Sequence, residues 1–395
     1  MKFRTLFRSA AFLSIPSLCG AAPVTIQAVN SLPLARASQT IEIPAADLAS
    51  LAAKDLNFIH IADSAGKELV CQAIDNDGDE LHKFDAIVFQ ADFAPNETKT
   101  FTATVGGKQV FSKDQYKAFG RFVRERFDDF TWENDVIAHR TYGKALETWK
   151  GEPLTSSTID IWSKRTPKMV INDWYLADDY HVDHGDGADF YSAGVSRGCG
   201  GNGLWSGDKL WVSNNFTASR VLANGPVRVL FELDYQSYDV NNMSVTETKR
   251  ISLDAGQHFD HFQSTYKIAS DKSAPVEAAI GLKKAPGEQL AVNEERGWLA
   301  KWEVMEKKAG NQGLAGDQPR GKRDHVDVGI LAGNKPPEHR KCRPRQQSHQ
   351  RRHRQQRRSG SRPGGSRPSG RCPWSARPGG PYSARRRSEE HTSEL

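Results

Sequence analysis

The densest group of ionisable residues in the sequence lies at residues 180–203, YHVDHGDGADFYSAGVSRGCGGNG, which include two histidines, three aspartates and two tyrosines. The segment lacks the period-two or period-3.6 apolar spacing of a core strand or helix. Loops on a rigid scaffold are where binding and catalytic residues concentrate. We therefore interpret residues 180–203 as the active loop.

Acid–base chemistry is the first expectation for this loop. His181 and His184 are three positions apart, and Asp183 lies between them. A carboxylate beside an imidazole holds it in one tautomer and raises its pKa, which suits proton transfer near neutral pH. Tyr191 could donate a proton to a leaving oxygen. These four residues are the predicted catalytic residues.

A charged sugar is the substrate that the surrounding residues suggest. An arginine can bind a sugar carboxylate through two hydrogen bonds and lower the cost of the carbanion formed when a neighbouring proton is removed. Trp132 and Trp162 offer flat faces for a pyranose ring. Residues 131–143 are so polar for a strand that some of them should face a solvent-filled cleft. The predicted substrate-binding residues are Trp132, Glu133, Asn134, Asp135, Arg140, Arg165, Tyr180, Asp186 and Arg197.

Two other interpretations of the loop stay open. His181, Asp183 and His184 could bind a divalent metal, although three ligands from four consecutive residues are geometrically cramped. Alternatively, the aspartates and glycines form turns and the histidines bridge strands. The glycines of residues 196–201, SRGCGG, allow positive φ or a close backbone approach, and Cys199 is expected to be packed rather than nucleophilic. No cofactor is predicted.

A second possible metal site lies at residues 75–85, DNDGDELHKFD. Oxygen ligands on a tight turn suit Ca²⁺, and Asp75, Asp77, Asp79 and Asp85 would supply them. The spacing does not match an EF-hand, and Asp-Gly is also an ordinary hairpin signal. A calcium site and a simple turn therefore both stay open.

The elements that must position these residues are strands. Short runs such as VTIQAVN and TKTFTATV, separated by Gly, Pro, Asn and Asp, predict a small N-terminal β-subdomain over residues 23–107. Residues 108–130 are predicted as a connector and residues 131–315 as a large antiparallel β-sandwich. The sequence contains no GxGxxG, Walker or CxxC motif, so nucleotide-binding and zinc-ribbon classes lack support. The predicted fold class is all-β.

The N-terminus predicts export. Residues 1–22 have a basic start, a short apolar run and small residues, as in a secretory signal peptide. No stretch reaches the roughly 18 apolar residues of a membrane helix, so we predict a periplasmic or extracellular protein without membrane insertion. In an oxidising compartment Cys71 and Cys199 could form a disulfide, with two buried free thiols as the alternative.

The C-terminal part differs sharply in composition. Residues 316–395 contain 20 Lys+Arg and 7 Asp+Glu, a net of +13, which leaves 34 and 41, a net of −7, in residues 1–315. Residues 339–387 contain no Ile, Leu, Val, Phe or Met, so we predict that residues 316–395 are disordered. An arginine-rich arm could bind nucleic acid. The final RSEEHTSEL resembles a translated sequencing adapter, however, so we interpret the tail as non-native read-through and predict no nucleic-acid partner.

Several long motifs carry a family resemblance. WENDVIAHRTYG, STIDIWSKR, YHVDHGDGADFY and SRGCGGNG resemble a family of secreted bacterial proteins described as a domain of unknown function, over about residues 31–315. Members are often encoded beside enzymes that degrade pectin and other uronic-acid polysaccharides. GPVRVLFELDY and KRISLDAGQHFDHFQSTY also resemble the central strands of galactose-mutarotase-like super-sandwiches. The resemblance implies a large antiparallel β-super-sandwich, a fold that does not by itself define a function.

The residues and the resemblance together predict an exported protein that acts on uronic-acid-containing oligosaccharides or polysaccharides as a lyase, dehydratase or epimerase. A non-catalytic carbohydrate-binding protein is the first alternative. A glycoside hydrolase is the second, weakened because no pair of carboxylates stands out as acid and base or nucleophile. The sequence predicts no oligomeric state.

Overall fold

The computed structural model describes residues 21–78, 83–151, 153–177, 179–269, 275–317 and 326–331. These residues form several antiparallel sheets with one short α-helix and a few 3₁₀ turns, so the all-β prediction is confirmed. Within the described ranges no helix is long and apolar enough to cross a bilayer. Nearly all of the predicted signal peptide, Asp79 of the possible calcium site and the tail from residue 332 lie outside the described residues.

The N-terminal body consists of two small sheets around one core. The first sheet has the order β1-β7-β3-β4 and the second the order β2-β6-β5. Their inner faces meet at Ile59, Ile61, Phe89 and Phe101, and the two phenylalanine rings pack edge to face with centroids 5.0 Å apart. The strands are β1 Val24–Val29, β2 Arg36–Pro44, β3 Ile59–Asp63, β4 Glu68–Leu69, β5 Cys71–Ile74, β6 Ala86–Phe93 and β7 Thr98–Val105, with 3₁₀ turns at Ala45–Leu51 and Leu56–Phe58.

A five-stranded sheet of order β12-β11-β10-β9-β8 follows. Its strands are β8 Ala118–Val123, β9 Asp129–Asn134, β10 Ala138–Thr141, β11 Asp160–Lys164 and β12 Gly187–Ala188, with α1 at Ile171–Ala177 and 3₁₀ turns at Lys113–Gln115, Arg124–Arg126 and Lys144–Thr148. Residues 108–130, predicted as a connector, therefore supply an edge strand and the start of the next one. Strand β8 was not predicted because Gly120 interrupts its apolar pattern. The glycine is needed there, since an added Cβ would lie 3.1 Å from Trp132 and from Val229.

The largest sheet has eight strands in the order β15-β16-β17-β18-β23-β22-β21-β20, and a three-stranded sheet of order β14-β13-β19 accompanies it. The strands are β13 Cys199–Ser206, β14 Lys209–Trp211, β15 Ala218–Ala223, β16 Arg228–Val240, β17 Met243–Asp254, β18 Phe259–Ala269, β19 Glu277–Leu282, β20 Gln289–Asn293, β21 Trp298–Val304, β22 Asn311–Asp317 and β23 Val326–Leu331, with a 3₁₀ turn at Glu306–Lys308.

The five-stranded sheet packs face to face on the eight-stranded sheet. Alternate residues of β16, including Phe231, enter the shared core, as the period of two in a strand requires. The Phe231 ring stacks on Phe130 with centroids 4.1 Å apart and lies 5.1 Å from the Trp132 ring. Each such aromatic pair contributes about 0.5–1.5 kcal/mol beyond its buried area.

The predicted start of the disordered tail at residue 316 needs correction. Strand β22 extends to Asp317, and β23 pairs with both β18 and β22. Residues 316–317 and 326–331 are therefore part of the large sheet, because their backbone groups complete its hydrogen-bonding ladder.

Candidate functional site

Arg140 joins strand β10 to the predicted active loop. Its Nε lies 2.9 Å from Asp160 Oδ2 and its Nη2 lies 2.8 Å from Asp189 Oδ2, while Asp129 Oδ2 is 3.8 Å from Nη1. The antiparallel register explains this meeting, since Arg140 stands opposite Asp160 on β11. Arg140 is only 5% exposed, so the cluster is a buried ion network rather than an open carboxylate clamp.

Burial sets the protonation of this network. Desolvation raises the pKa of Asp129 to about 7 and that of Asp189 to about 8, against the lowering effect of the Arg140 charge. Two of the three carboxyls around one arginine can therefore hold a proton near neutral pH, which limits the cost of burying them.

Aromatic rings cover the same network. Tyr180 stacks on Trp162 with centroids 5.2 Å apart, and its hydroxyl accepts hydrogen bonds from Arg126 and Arg140. Trp162, Tyr180 and likewise Trp132 are buried. The expectation that the tryptophans and Tyr180 contact a sugar is corrected accordingly, because none of these rings presents a face to solvent.

The polar residues of the β9–β10 segment also point inward. Glu133 accepts hydrogen bonds from Lys164 and from the backbone N–H groups of Val170 and Ile171 at the start of α1. Asn134 donates to two carbonyls of the β17–β18 turn. In the same turn Gly256 donates to Asp135. These residues connect elements instead of facing the expected solvent-filled cleft, since buried polar groups need such partners.

The two histidines of the loop have different partners. The His181 Nδ1 is 3.3 Å from the Asp189 carbonyl oxygen and 3.6 Å from its carboxylate, and burial lowers the His181 pKa instead of producing the expected rise. His184 pairs at the surface with Asp179 at 3.3 Å.

The acidic residues of the loop form turns and surface ion pairs. Asp183 accepts hydrogen bonds from the Gly185 and Gly187 N–H groups and pairs with Arg165, and Asp186 lies 3.3 Å from Lys168. Among the described residues, the group of His, Cys, Asp and Glu that could surround a metal does not include His181, Asp183 or His184. The turn interpretation accounts for these contacts.

The possible calcium residues do come together. Ligand oxygens of Asp75, Asp77 and Asp85 lie within 4.8 Å of one another. Asp75 and Asp85 also accept hydrogen bonds from backbone N–H groups of this loop, Asp75 from Gly78 at 2.6 Å and Asp85 from Asn76 at 2.5 Å. The contacts are those of a hairpin turn whose carboxylate oxygens also lie close enough together to surround a cation.

The SRGCGG segment packs backbone against backbone. Gly198 has φ +59°, and a Cβ there would lie 1.9 Å from the Ile159 carbonyl oxygen. Cys199 is buried and its thiol donates to the same carbonyl at 3.3 Å. Cys71 and Cys199 are both free thiols, so the disulfide alternative is not realised. Arg197 hydrogen-bonds Ser156 and Ser157, which fixes it beside this segment.

Tyr191 lines a cavity of about 110 Å³, together with Phe190, Lys283, Glu303, Glu306 and Gln312 among others. The tyrosine is 6% exposed, and its hydroxyl has no hydrogen-bond partner among the described residues. An unpaired buried hydroxyl costs about 1–3 kcal/mol, so its persistence calls for an explanation. We call this space the Tyr191 cavity.

Charged groups of both signs surround the Tyr191 cavity. The Lys283 Nζ lies 5.4 Å from the centroid of the Tyr191 ring and 3.4 Å from Glu306. Gln312 and Lys301 hold the Glu303 carboxylate in place. Burial raises the Tyr191 pKa well above its usual value, and the nearby Glu303 carboxylate adds to the rise, so the phenol keeps its proton. The arrangement offers a proton donor, carboxylate bases and an ammonium group in one small space.

The connection from β21 to β22 covers the Tyr191 cavity. Lys307 and Lys308 have φ values of 55° and 56°, a conformation that costs non-glycine residues roughly 1–3 kcal/mol each. Arg165 holds this connection through the Ala309 carbonyl oxygen and lies 5.3 Å from the Phe190 ring. Strained backbone over a polar cavity is a recurring feature of functional sites.

Sequence reasoning selected Tyr191 and missed its partners. Lys283, Glu303, Glu306 and Gln312 follow Tyr191 by about a hundred positions and reach it through the pairing of β19 with β13 and of β21 with β22. Glu303 in WLAKWEV was a local signal, since a buried strand position rarely carries a carboxylate unless the carboxylate is paired, as it is here with Lys301.

The fold and the cavity define an all-β protein with a polar, partly covered site between its sheets. Residues 29–351 match the profile of a domain of unknown function (DUF4861). "Uncharacterized protein P7" of Formosa agariphila is 36% identical over 286 residues, 69% of this chain and 70% of that protein. The chain therefore belongs to the DUF4861 family. The match continues past residue 316, in agreement with the placement of β22 and β23 in the sheet.

Proposed function

We propose that this protein is an exported carbohydrate-active enzyme of the galactose-mutarotase-like super-sandwich type, a lyase, dehydratase or epimerase for uronic-acid-containing oligosaccharides. The observation that carries the proposal is the unpartnered Tyr191 hydroxyl in a cavity with Lys283 and Glu303. A proton donor without a hydrogen-bond partner among the described residues can donate to a substrate oxygen that enters the cavity.

The chemistry of the Tyr191 cavity fits proton abstraction next to a carboxylate. The Lys283 ammonium pairs with the sugar carboxylate, and Glu303 or Glu306 takes the proton from the neighbouring carbon. The released electron pair forms a carbon–carbon double bond as the adjacent carbon–oxygen bond breaks, and Tyr191 gives its proton to the leaving oxygen. Return of a proton to the opposite face of the carbanion would give epimerisation instead.

Access to the hydroxyl requires movement. Because the Tyr191 hydroxyl is covered, the connection over residues 304–310 must open to admit the sugar. Lys307 and Lys308 in this segment are exposed and have a strained backbone conformation. Both properties favour this segment as the part that moves.

A non-catalytic carbohydrate-binding protein is the second candidate. The observation in its favour is that His181, His184 and Asp183 are engaged in contacts outside the Tyr191 cavity. A binding protein gives affinity without turnover, which separates it from the enzyme.

Product analysis tests the proposal. The full chain is incubated with oligosaccharides from pectin, rhamnogalacturonan, alginate and ulvan, and products are followed by mass spectrometry and ultraviolet absorbance. A lyase or dehydratase gives an unsaturated, absorbing product, and an epimerase gives an isomer of unchanged mass that separates by chromatography. Absence of any converted product across these acidic substrates would contradict the enzyme proposal.

A further inference from the structure

A second, larger cleft lies on the outer face of the eight-stranded sheet, away from residues 180–203. Its volume is about 510 Å³, within the range of pockets that hold drug-sized ligands. Strands β16, β17 and β18 form its floor, and Glu42 and Asn76 of the N-terminal body form one wall. We call it the sheet cleft.

The floor of the sheet cleft is polar although it belongs to central strands. The register sets Arg228 opposite Asp254, Ser252 opposite His261 and Arg250 opposite Gln263. Side chains two residues apart share a face, so these three cross-strand pairs form one continuous surface. On the opposite face the same strands carry apolar core residues. Polar residues at the centre of a sheet face are typical of a binding surface rather than of a covered core.

The charges of the sheet cleft are balanced. Arg228 uses all three guanidinium nitrogens, with Nε 2.6 Å and Nη2 2.9 Å from the Asp254 carboxylate and Nη1 2.6 Å from Glu42. Arg250 lies 3.4 Å from Glu232, which Arg220 also binds at 2.6 Å. Of the residues that line the sheet cleft, the two arginines, Arg228 and Arg250, are equalled in number by the two carboxylates, Glu42 and Asp254, and Arg228 is not free to clamp a ligand carboxylate.

An aromatic ring completes the surface. Phe259 lines the sheet cleft and is 45% exposed, and Asn76, Gln257 and Gln263 add amide donors and acceptors. Sugar hydroxyls act both as donors and as acceptors, so fixed ion pairs and amides suit them, while the apolar face of a sugar ring packs on an aromatic ring.

We propose that the sheet cleft is a second carbohydrate site, distinct from the Tyr191 cavity, that binds an uncharged oligosaccharide with one sugar ring against Phe259. The proposal goes beyond the proposed reaction and does not depend on it. A protein with both sites would hold neutral sugar units in one place and act on acidic units in another.

Calorimetry with defined sugars tests this proposal. Neutral xylo-, arabino-, galacto- and gluco-oligosaccharides are titrated into the full chain, with oligogalacturonate as the acidic comparison. We expect at least one neutral oligosaccharide to bind, Phe259→Ala to weaken its binding by about three- to tenfold, and Ser252→Trp, which fills the floor, to abolish it. Near-ultraviolet circular dichroism checks that both variants are folded.

Control variants show whether the neutral oligosaccharide binds in the sheet cleft. Tyr116→Ala removes a ring of similar exposure, 40%, outside the cleft, and Tyr191→Phe alters only the other site, so both should bind as the unaltered protein does. The proposal is overturned if no neutral oligosaccharide binds, if binding survives Ser252→Trp, or if oligogalacturonate is the one ligand that Ser252→Trp displaces.

Discussion

The His139 Nε2 lies 3.2 Å from the Asp260 Oδ2, and both side chains are fully buried between the two large sheets. The other ring nitrogen of His139 faces the Asp160 carbonyl oxygen at 3.2 Å and therefore carries its proton. Nε2 is then unprotonated, and neither Nε2 nor the Asp260 Oδ2 has a hydrogen-bond partner among the described residues, although the two atoms lie close together. Burial raises the Asp260 pKa to about 7 and lowers that of His139 to about 3, so burial favours the uncharged form of both side chains.

Asp260→Asn should remove a pH-dependent part of the stability. A carboxyl whose pKa is raised in the folded state stabilises fully below its unfolded value, near 4, and this contribution is lost as the pH rises through about 7. Asparagine keeps an oxygen that accepts the hydrogen bond from Trp132, but it cannot ionise. We expect the free energy of unfolding of Asp260→Asn, relative to the unaltered protein, to rise by roughly 2–3 kcal/mol between pH 5 and pH 8. Urea unfolding at both pH values measures it, and parallel pH curves for the two proteins would refute the raised pKa of Asp260.

Arg140→Leu should be strongly destabilising. It leaves Asp129, Asp160 and Asp189 without their central cation, and breaking a buried ion pair costs about 3–5 kcal/mol. Because Asp129 and Asp189 already have raised pKa values, the loss should be smaller at pH 5 than at pH 8. Lys168→Leu is the matched control, since its exposed pair with Asp186 contributes at most about 1 kcal/mol. If both variants lose the same free energy of unfolding in urea, the Arg140 network does not stabilise the fold more than a surface ion pair does.

Gly198→Ala and Gly194→Ala separate steric contact from backbone strain. Both glycines have positive φ, +59° and +54°, but an added Cβ meets the Ile159 carbonyl oxygen at 1.9 Å in one and nothing within 4 Å in the other. We expect a loss of roughly 3 kcal/mol or more for Gly198→Ala and about 1–2 kcal/mol for Gly194→Ala. If the two variants have the same free energy of unfolding, residues 196–201 do not pack against β11 as described.

Local patterns predicted the strands well and the roles of polar residues poorly. The alternation in β16, β17 and β18 is visible in the sequence, because each strand has one apolar face. Asn134 was expected to face solvent, yet it hydrogen-bonds the Asp254 carbonyl oxygen 120 positions away. A polar residue with a distant buried partner looks the same in sequence as one in an open cleft.

Some residues of the candidate site could be predicted from the sequence and others could not. Tyr191 was selected because residues 180–203 are rich in chemically active side chains, and its interpretation as a proton donor stays a prediction. Lys283 and Glu303 could not be selected, since the pairing of strands brings them to Tyr191 over long sequence distances. The sheet cleft was hidden because Arg250, Ser252 and Asp254 read as the polar half of an ordinary amphipathic strand.

Tyr191→Phe compared with Tyr238→Phe tests the central claim most directly. Both tyrosines have a buried hydroxyl without a hydrogen-bond partner among the described residues, so neither substitution should reduce thermal stability. If Tyr191 donates the proton to the leaving oxygen, Tyr191→Phe should lower the rate of product formation from an acidic oligosaccharide by about a hundredfold or more, while Tyr238→Phe leaves it unchanged. Turnover by Tyr191→Phe at the rate of the unaltered protein would contradict the account.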